Sequence, residues 1–154
     1  QKEANQRGVD SNRLIFAKSM PSLADHLARH KAADLFIDTM PYNAHATASD
    51  ALWAGLPVLT RAGESFSSRV AASLLSSIGL PELITKTEKE YETLAIELAT
   101  NPERLKQIKK RLEKNKLIKP LFDTKLFTKN IESAYMMMHE KYLKNLPLKN
   151  IEIK

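Results

Sequence analysis

The chain has 154 residues, 43% of them hydrophobic, with four glycines and a formal net charge of +6. Such a length and composition describe one globular domain able to bury a real core, and exclude a disordered or fibrous chain. The absence of cysteine excludes disulfide scaffolds, thiolate zinc sites and cysteine nucleophiles together.

The opening QKEANQRG is polar and is no signal peptide. No apolar run approaches the roughly 18 residues needed to span a bilayer, so no membrane association and a cytoplasmic setting are expected. QKEANQRG reads instead as the end of a helix feeding a first strand at 14–16 (LIF). An earlier strand is therefore expected upstream, and the chain is expected to be a piece of a longer protein. Ser22 caps a helix running to about Ala33, with Asp25 as its capping partner three residues on. LFID at 35–38 is continuously apolar up to its last residue, as a strand buried on both faces should be. The loop and small-residue helix of DTMPYNAHATASDALWAG follow, at 38–55, then a strand at 57–60 (PVLT), a helix at about 67–78, and a short strand at 82–85 (ELIT). Alternation of this kind predicts a parallel sheet covered by helices.

The second half is helical. Thr87 and Glu90 form a capping box ahead of the apolar face Tyr91, Leu94, Ala95 and Leu98. Asn101 and Pro102 restart the chain as cap and first helical residue. Much of the positive charge then lies in LKQIKKRLEKNKLIKP, between the apolar Leu105, Ile108 and Leu112 of a helix. That is the pattern of a solvated helix face, so a nucleic-acid partner is not expected. A last helix is predicted at about 124–144, with Phe127, Ile131, Ala134, Tyr135, Met138 and Tyr142 as its apolar stripe. The tail NLPLKNIEIK gives no firm signal. The expected organisation is one unit over 1–154, a parallel sheet covered by helices, with 101–154 a helical extension.

In an open parallel sheet, ligands bind beyond the carboxyl ends of the strands, where helix N-termini offer free N–H groups and the positive end of the dipole. The segment after Asp38 has that position. Small side chains around Ala46 let an anion approach the backbone, Thr47 adds a hydroxyl donor and His45 an imidazole donor. Asp50 lies one turn further, where a carboxylate repels phosphate but accepts from a ribose diol. Anion donors followed by a diol acceptor describe a nucleotide. The alternative is that Thr47 and Ser49 are ordinary caps and His45 a satisfied loop residue, and spacing alone does not decide between them. A glycine-rich dinucleotide fingerprint is absent.

The residues themselves say more. LFIDTMPYNAHATASDALWAGLPVLTRAGESFSSRVAASLL, at 35–75, resembles the donor-binding half of the O-linked N-acetylglucosamine transferases and their Spindly-type relatives, glycosyltransferase family 41. The similarity extends back through NRLIFAKSMPSLADHLARHKAADLFIDT and forward through LFDTKLFTKNIESAY. The resemblance implies the second Rossmann-like domain of a GT-B glycosyltransferase, the one that binds the nucleotide sugar. Carried over by residue, it implies that His45 and Thr47 meet the donor diphosphate with help from backbone N–H groups near Ala46. Asp50 is implied to accept from the ribose hydroxyls, and His26 and Arg29 to pack against and orient the base. The animal enzymes have a second Thr where this chain has Ala46, so one side-chain phosphate contact is expected to be lost.

The reaction so implied is an inverting transfer of N-acetylglucosamine from UDP-N-acetylglucosamine to Ser or Thr of a protein. No metal or other cofactor is expected, and the chain has no carboxylate pair resembling the Asp-x-Asp of metal-dependent transferases. Catalytic residues and protein-acceptor contacts are expected upstream of residue 1, as are the tetratricopeptide repeats such proteins commonly carry, so this chain alone is expected to be inactive. A related donor such as GDP-fucose, or a non-catalytic nucleotide-binding scaffold, stays open. Trp53 is expected to be core, and Arg69 to approach the donor or to form an ion pair, with Glu64 as one partner. Met136 to Met138 are expected to fill gaps or cover an interface, and His30 and His139 to lie on the surface.

Overall fold

A computed structural model describes residues 1–153, with three parallel strands, β1 (Phe36–Ile37), β2 (Val58–Arg61) and β3 (Ile84–Thr85), in the order β1-β2-β3. Phe36 pairs in register with Val58, and Thr60 with Ile84. The helices are α1 (Lys2–Gln6), α2 (Leu23–Arg29), α3 (Ala46–Trp53), α4 (Val70–Ile78), α5 (Glu88–Thr100), α6 (Pro102–Ile118) and α7 (Thr124–Leu143). Strand and helix alternate through β3, the layered arrangement that the alternating sequence pattern predicts.

The core forms around β2, whose Val58, Leu59 and Thr60 are fully buried because helices cover both faces of the central strand. Ala48, Ala51 and Leu52 of α3 pack there with Leu75 and Ile78 of α4, Leu98 of α5, and Ile108 and Leu112 of α6. The small residues of α3 let that helix sit close to the sheet. Helix α6 is thus part of the core; Lys106, Lys110 and Lys114 are exposed, while Lys109 pairs with Asp34 and Lys116 donates to the Trp53 carbonyl.

The expected caps are formed. Ser22 Oγ accepts from Asp25 N at 3.1 Å, Asn101 Oδ1 accepts from Arg104 N at 3.1 Å, and Thr87 and Glu90 make a reciprocal capping box. Helix α3 ends where Gly55 takes φ +89°, a left-handed conformation that a side chain disfavours.

Other expectations are corrected. Residues 14–16 are not a strand: Ile15 is 89% exposed and Phe16 74% exposed. A strand exists only by pairing, and among the described residues no strand lies beside this segment. For the same reason β1 is a short edge strand with Ile37 half exposed, not one buried on both faces. Helix α4 begins at Val70, because residues 66–68 close a 3₁₀ turn in which Ser68 N–H donates to Ser65 O. Likewise Pro81 opens a 3₁₀ turn and leaves only two residues for β3. The stripe on α7 is exposed, with no residue of that helix buried. Trp53 is half exposed at the end of α3, its ring edge-on to Phe122 at 5.1 Å, and so is not a core residue. No ion pair joins Arg69 to Glu64 among the described residues. No helix among them is long and apolar enough to cross a membrane.

Candidate functional site

The loop between β1 and α3 is built on Asp38, the buried residue that ends the strand. One of its carboxylate oxygens accepts from Thr39 N at 2.8 Å and Ala44 N at 2.7 Å, and the other accepts from the Thr60 hydroxyl of β2 at 2.6 Å. Tyr91 of α5 donates its hydroxyl to the Asp38 carbonyl at 2.5 Å. Burial, and secondarily the negative charge of Asp38, push the Tyr91 phenol up to about 12, so it stays a donor. Asn43, also buried, donates its side-chain amide to Thr39 O at 2.8 Å and its backbone N–H to Ser67 O at 3.1 Å. The loop is thus tied to the sheet, to α5 and to the turn before α4.

These ties aim the start of α3. His45 is the N-cap, and no side chain caps the helix. The His45 carbonyl accepts from Ala48 N and Ser49 N, each at 3.1 Å, while the N–H groups of Ala46 and Thr47 have no acceptor among the described residues. Both residues are exposed. Two free N–H groups at the positive end of a helix dipole are the donor set an anion needs. The alternative in which Thr47 or Ser49 serves as a cap is therefore not the observed arrangement.

His45 lies partly buried beside them, with Tyr42 stacked on its ring at 5.0 Å and Phe66 edge-on at 6.1 Å. Its Nε2 lies 3.2 Å from Ser67 O. Asp50, one turn along α3, faces α2, where His26 Nε2 lies 3.4 Å from its carboxylate. Arg29, one turn beyond His26, donates to Lys18 O at 3.0 Å and so holds the extended segment before α2. His30 donates Nδ1–H to His26 O at 2.9 Å and packs edge-on to the His26 ring at 5.0 Å. The structure thus brings together His45, Ala46 and Thr47 at the helix mouth and His26 with Asp50 beside it, while Arg29 is engaged with the backbone.

Sequence reasoning missed Asp38, Tyr91, Tyr42 and the Ser67 carbonyl as organisers of this site. Asp38 alone carried a local signal, a carboxylate closing an apolar strand. The other three act from 3 to 53 residues away from their partners.

The chain matches the sequence profile described as Glycosyl transferase family 41 over residues 1–131. It is 34% identical over 146 residues to the UDP-N-acetylglucosamine--peptide N-acetylglucosaminyltransferase of Caenorhabditis elegans, covering 95% of this chain and 13% of that protein. It is 38% identical over 136 residues to the probable enzyme SEC of Arabidopsis thaliana, covering 88% of this chain and 14% of that protein. Its fold superposes with TM-score 0.82 on a mutant O-GlcNAc transferase from Thermobaculum terrenum, at 34% identity, covering 89% of this chain and 26% of that one. The chain therefore spans only 13% and 14% of the length of those two relatives. Extended over most of its residues in both sequence and fold, the likeness has one conclusion: the chain belongs to glycosyl transferase family 41.

Proposed function

We propose that residues 1–154 form the nucleotide-sugar-binding unit of a protein O-glycosyltransferase, with 101–154 as its helical extension. The donor is UDP-N-acetylglucosamine and the acceptor a protein Ser or Thr engaged by other parts of the protein. The observation that carries this reading is the uncapped mouth of α3, flanked by His45 and Thr47 and followed one turn later by Asp50, in a chain of this family.

In an inverting sugar transfer the bond from the sugar to the diphosphate breaks as the acceptor oxygen attacks. Negative charge grows on the leaving diphosphate. The N–H groups of Ala46 and Thr47, the Thr47 hydroxyl and His45 answer that charge with preorganised donors, which favour the transition state over the ground state. No metal is required in this reading, because those donors supply the electrostatic stabilisation. In this reading Asp50 accepts from the ribose diol, and His26 and Arg29 are the residues assigned to orient the base. Ala46 offers only its backbone, so the phosphate grip rests on fewer side chains than where a second Thr is present. A cytoplasmic setting fits a chain that has no disulfides to form.

Calorimetric titration of the folded chain with UDP and with GDP tests the proposal. UDP is expected to bind, and Asp50→Ala to weaken it roughly tenfold to a hundredfold through the loss of a charged acceptor. Preference for GDP moves the donor to another sugar nucleotide, and binding of neither nucleotide rejects the site.

A further inference from the structure

We infer that His45 meets the diphosphate only as an imidazolium, so that binding of the sugar nucleotide takes up one proton at Nδ1. The inference rests on the nucleotide-site reading above and adds the charge state that the site demands.

The argument begins at the Ser67 carbonyl. That oxygen accepts from Asn43 N at 3.1 Å and faces His45 Nε2 at 3.2 Å. A carbonyl only accepts, so Nε2 carries the proton. Tyr42 lies against one ring face with an interplanar angle of 22°, and Phe66 meets the ring at 86°, which holds it in this orientation. A neutral imidazole has a single N–H, here committed to Ser67, and Nδ1 is then a bare lone pair. Nδ1 has no partner among the described residues. A diphosphate diester presents only acceptor oxygens. Neutral His45 would offer an anion only a lone pair, whereas the imidazolium keeps Nε2–H on Ser67 and adds Nδ1–H as a charge-assisted donor. The proton comes from solvent, and no covalent bond to the donor forms or breaks. The cation also faces the leaving diphosphate, where charge grows during transfer.

The other titratable and charged groups around the ring do not supply this proton. Tyr42 stacks through its face, Asp38 beneath the loop is occupied by Thr39, Ala44 and Thr60, and Asp50 lies against His26 of α2. Glu64 and Arg69, on the segment that carries Phe66, line a hollow with it. All are retained when His45 alone is changed, so their contributions cancel in the comparison. The sign follows: donor affinity is greatest where His45 is already protonated. It falls as the pH rises, because each binding event takes up a proton.

The test is calorimetry of the chain with UDP-N-acetylglucosamine, whose phosphates have no titrating proton, at pH about 8 in buffers of different ionisation enthalpy. Uptake approaching one proton per site is expected, and its loss in His45→Gln, which keeps an N–H for Ser67. Binding without proton uptake, or with uptake unchanged by His45→Gln, overturns the inference and leaves the nucleotide site standing. Absence of any binding removes the nucleotide site and the inference together. Long-range proton–nitrogen spectra of the free chain give an independent reading: the neutral ring is expected with its hydrogen on Nε2, and a hydrogen on Nδ1 overturns the inference whatever binds.

Discussion

At the scale of single residues, Asp38 organises the candidate site by holding the loop that leads into α3. Its buried carboxylate accepts from two backbone N–H groups and the Thr60 hydroxyl. Asp38→Ala strands all three donors, and since one unsatisfied buried group costs about 1–3 kcal/mol, a loss at or above the top of that range is expected in urea unfolding. Tyr91 holds the other side of the same residue, and its raised phenol adds a pH signature. A group whose titration is raised by folding contributes stability below its unfolded value and loses it as pH climbs through the folded one. The window therefore opens near the ordinary tyrosine value of about 10 and closes near about 12. Unfolding midpoints of the native chain should fall across that window more steeply than those of Tyr91→Phe; parallel curves would remove Tyr91 as the cause. The loop residues of the candidate site, His45 to Asp50, stand out in sequence because they share one short stretch with a recognisable chemistry. Their supports were not, since a carbonyl at Ser67 and a hydroxyl at Tyr91 become partners of the loop only through folding.

At the scale of elements, sequence and structure agree where the signal is local. The capping box at Thr87 and Glu90 and the Asn101–Pro102 restart are formed because each satisfies backbone donors within one turn. Strands were less legible, since pairing depends on distant partners. The apolar run at 14–16 has the composition of a strand and, among the described residues, no neighbouring strand to make it one. Helix α3 illustrates a boundary set by a single residue. A Cβ at Gly55 would meet the Glu113 carboxylate, which pairs with Lys116, and the residue holds φ +89°. Gly55→Ala is therefore expected to destabilise the chain by about 1–2 kcal/mol from the left-handed backbone alone, read as a lower thermal midpoint.

At the scale of the whole molecule, hydrophobic stripes of similar appearance in sequence have opposite fates. Leu105, Ile108 and Leu112 of α6 are buried, and Leu112 is fully enclosed. The stripe of α7 remains open, with Phe127, Tyr135 and Tyr142 each more than 60% exposed. Periodicity identifies both as helices with an apolar face, but only tertiary packing decides which face is covered. The difference has a thermodynamic consequence. Leu112→Ala removes buried methyl groups from among α4, α5 and α6 and should cost about 2–5 kcal/mol, lowering the urea midpoint with little change in slope. Tyr135→Ala on α7 should stay within about 0.5 kcal/mol, as for surface substitutions elsewhere. Equal losses from the two variants would mean that α7 is packed in solution, and that the folded unit is larger than the one formed by β1–β3 and α2–α6.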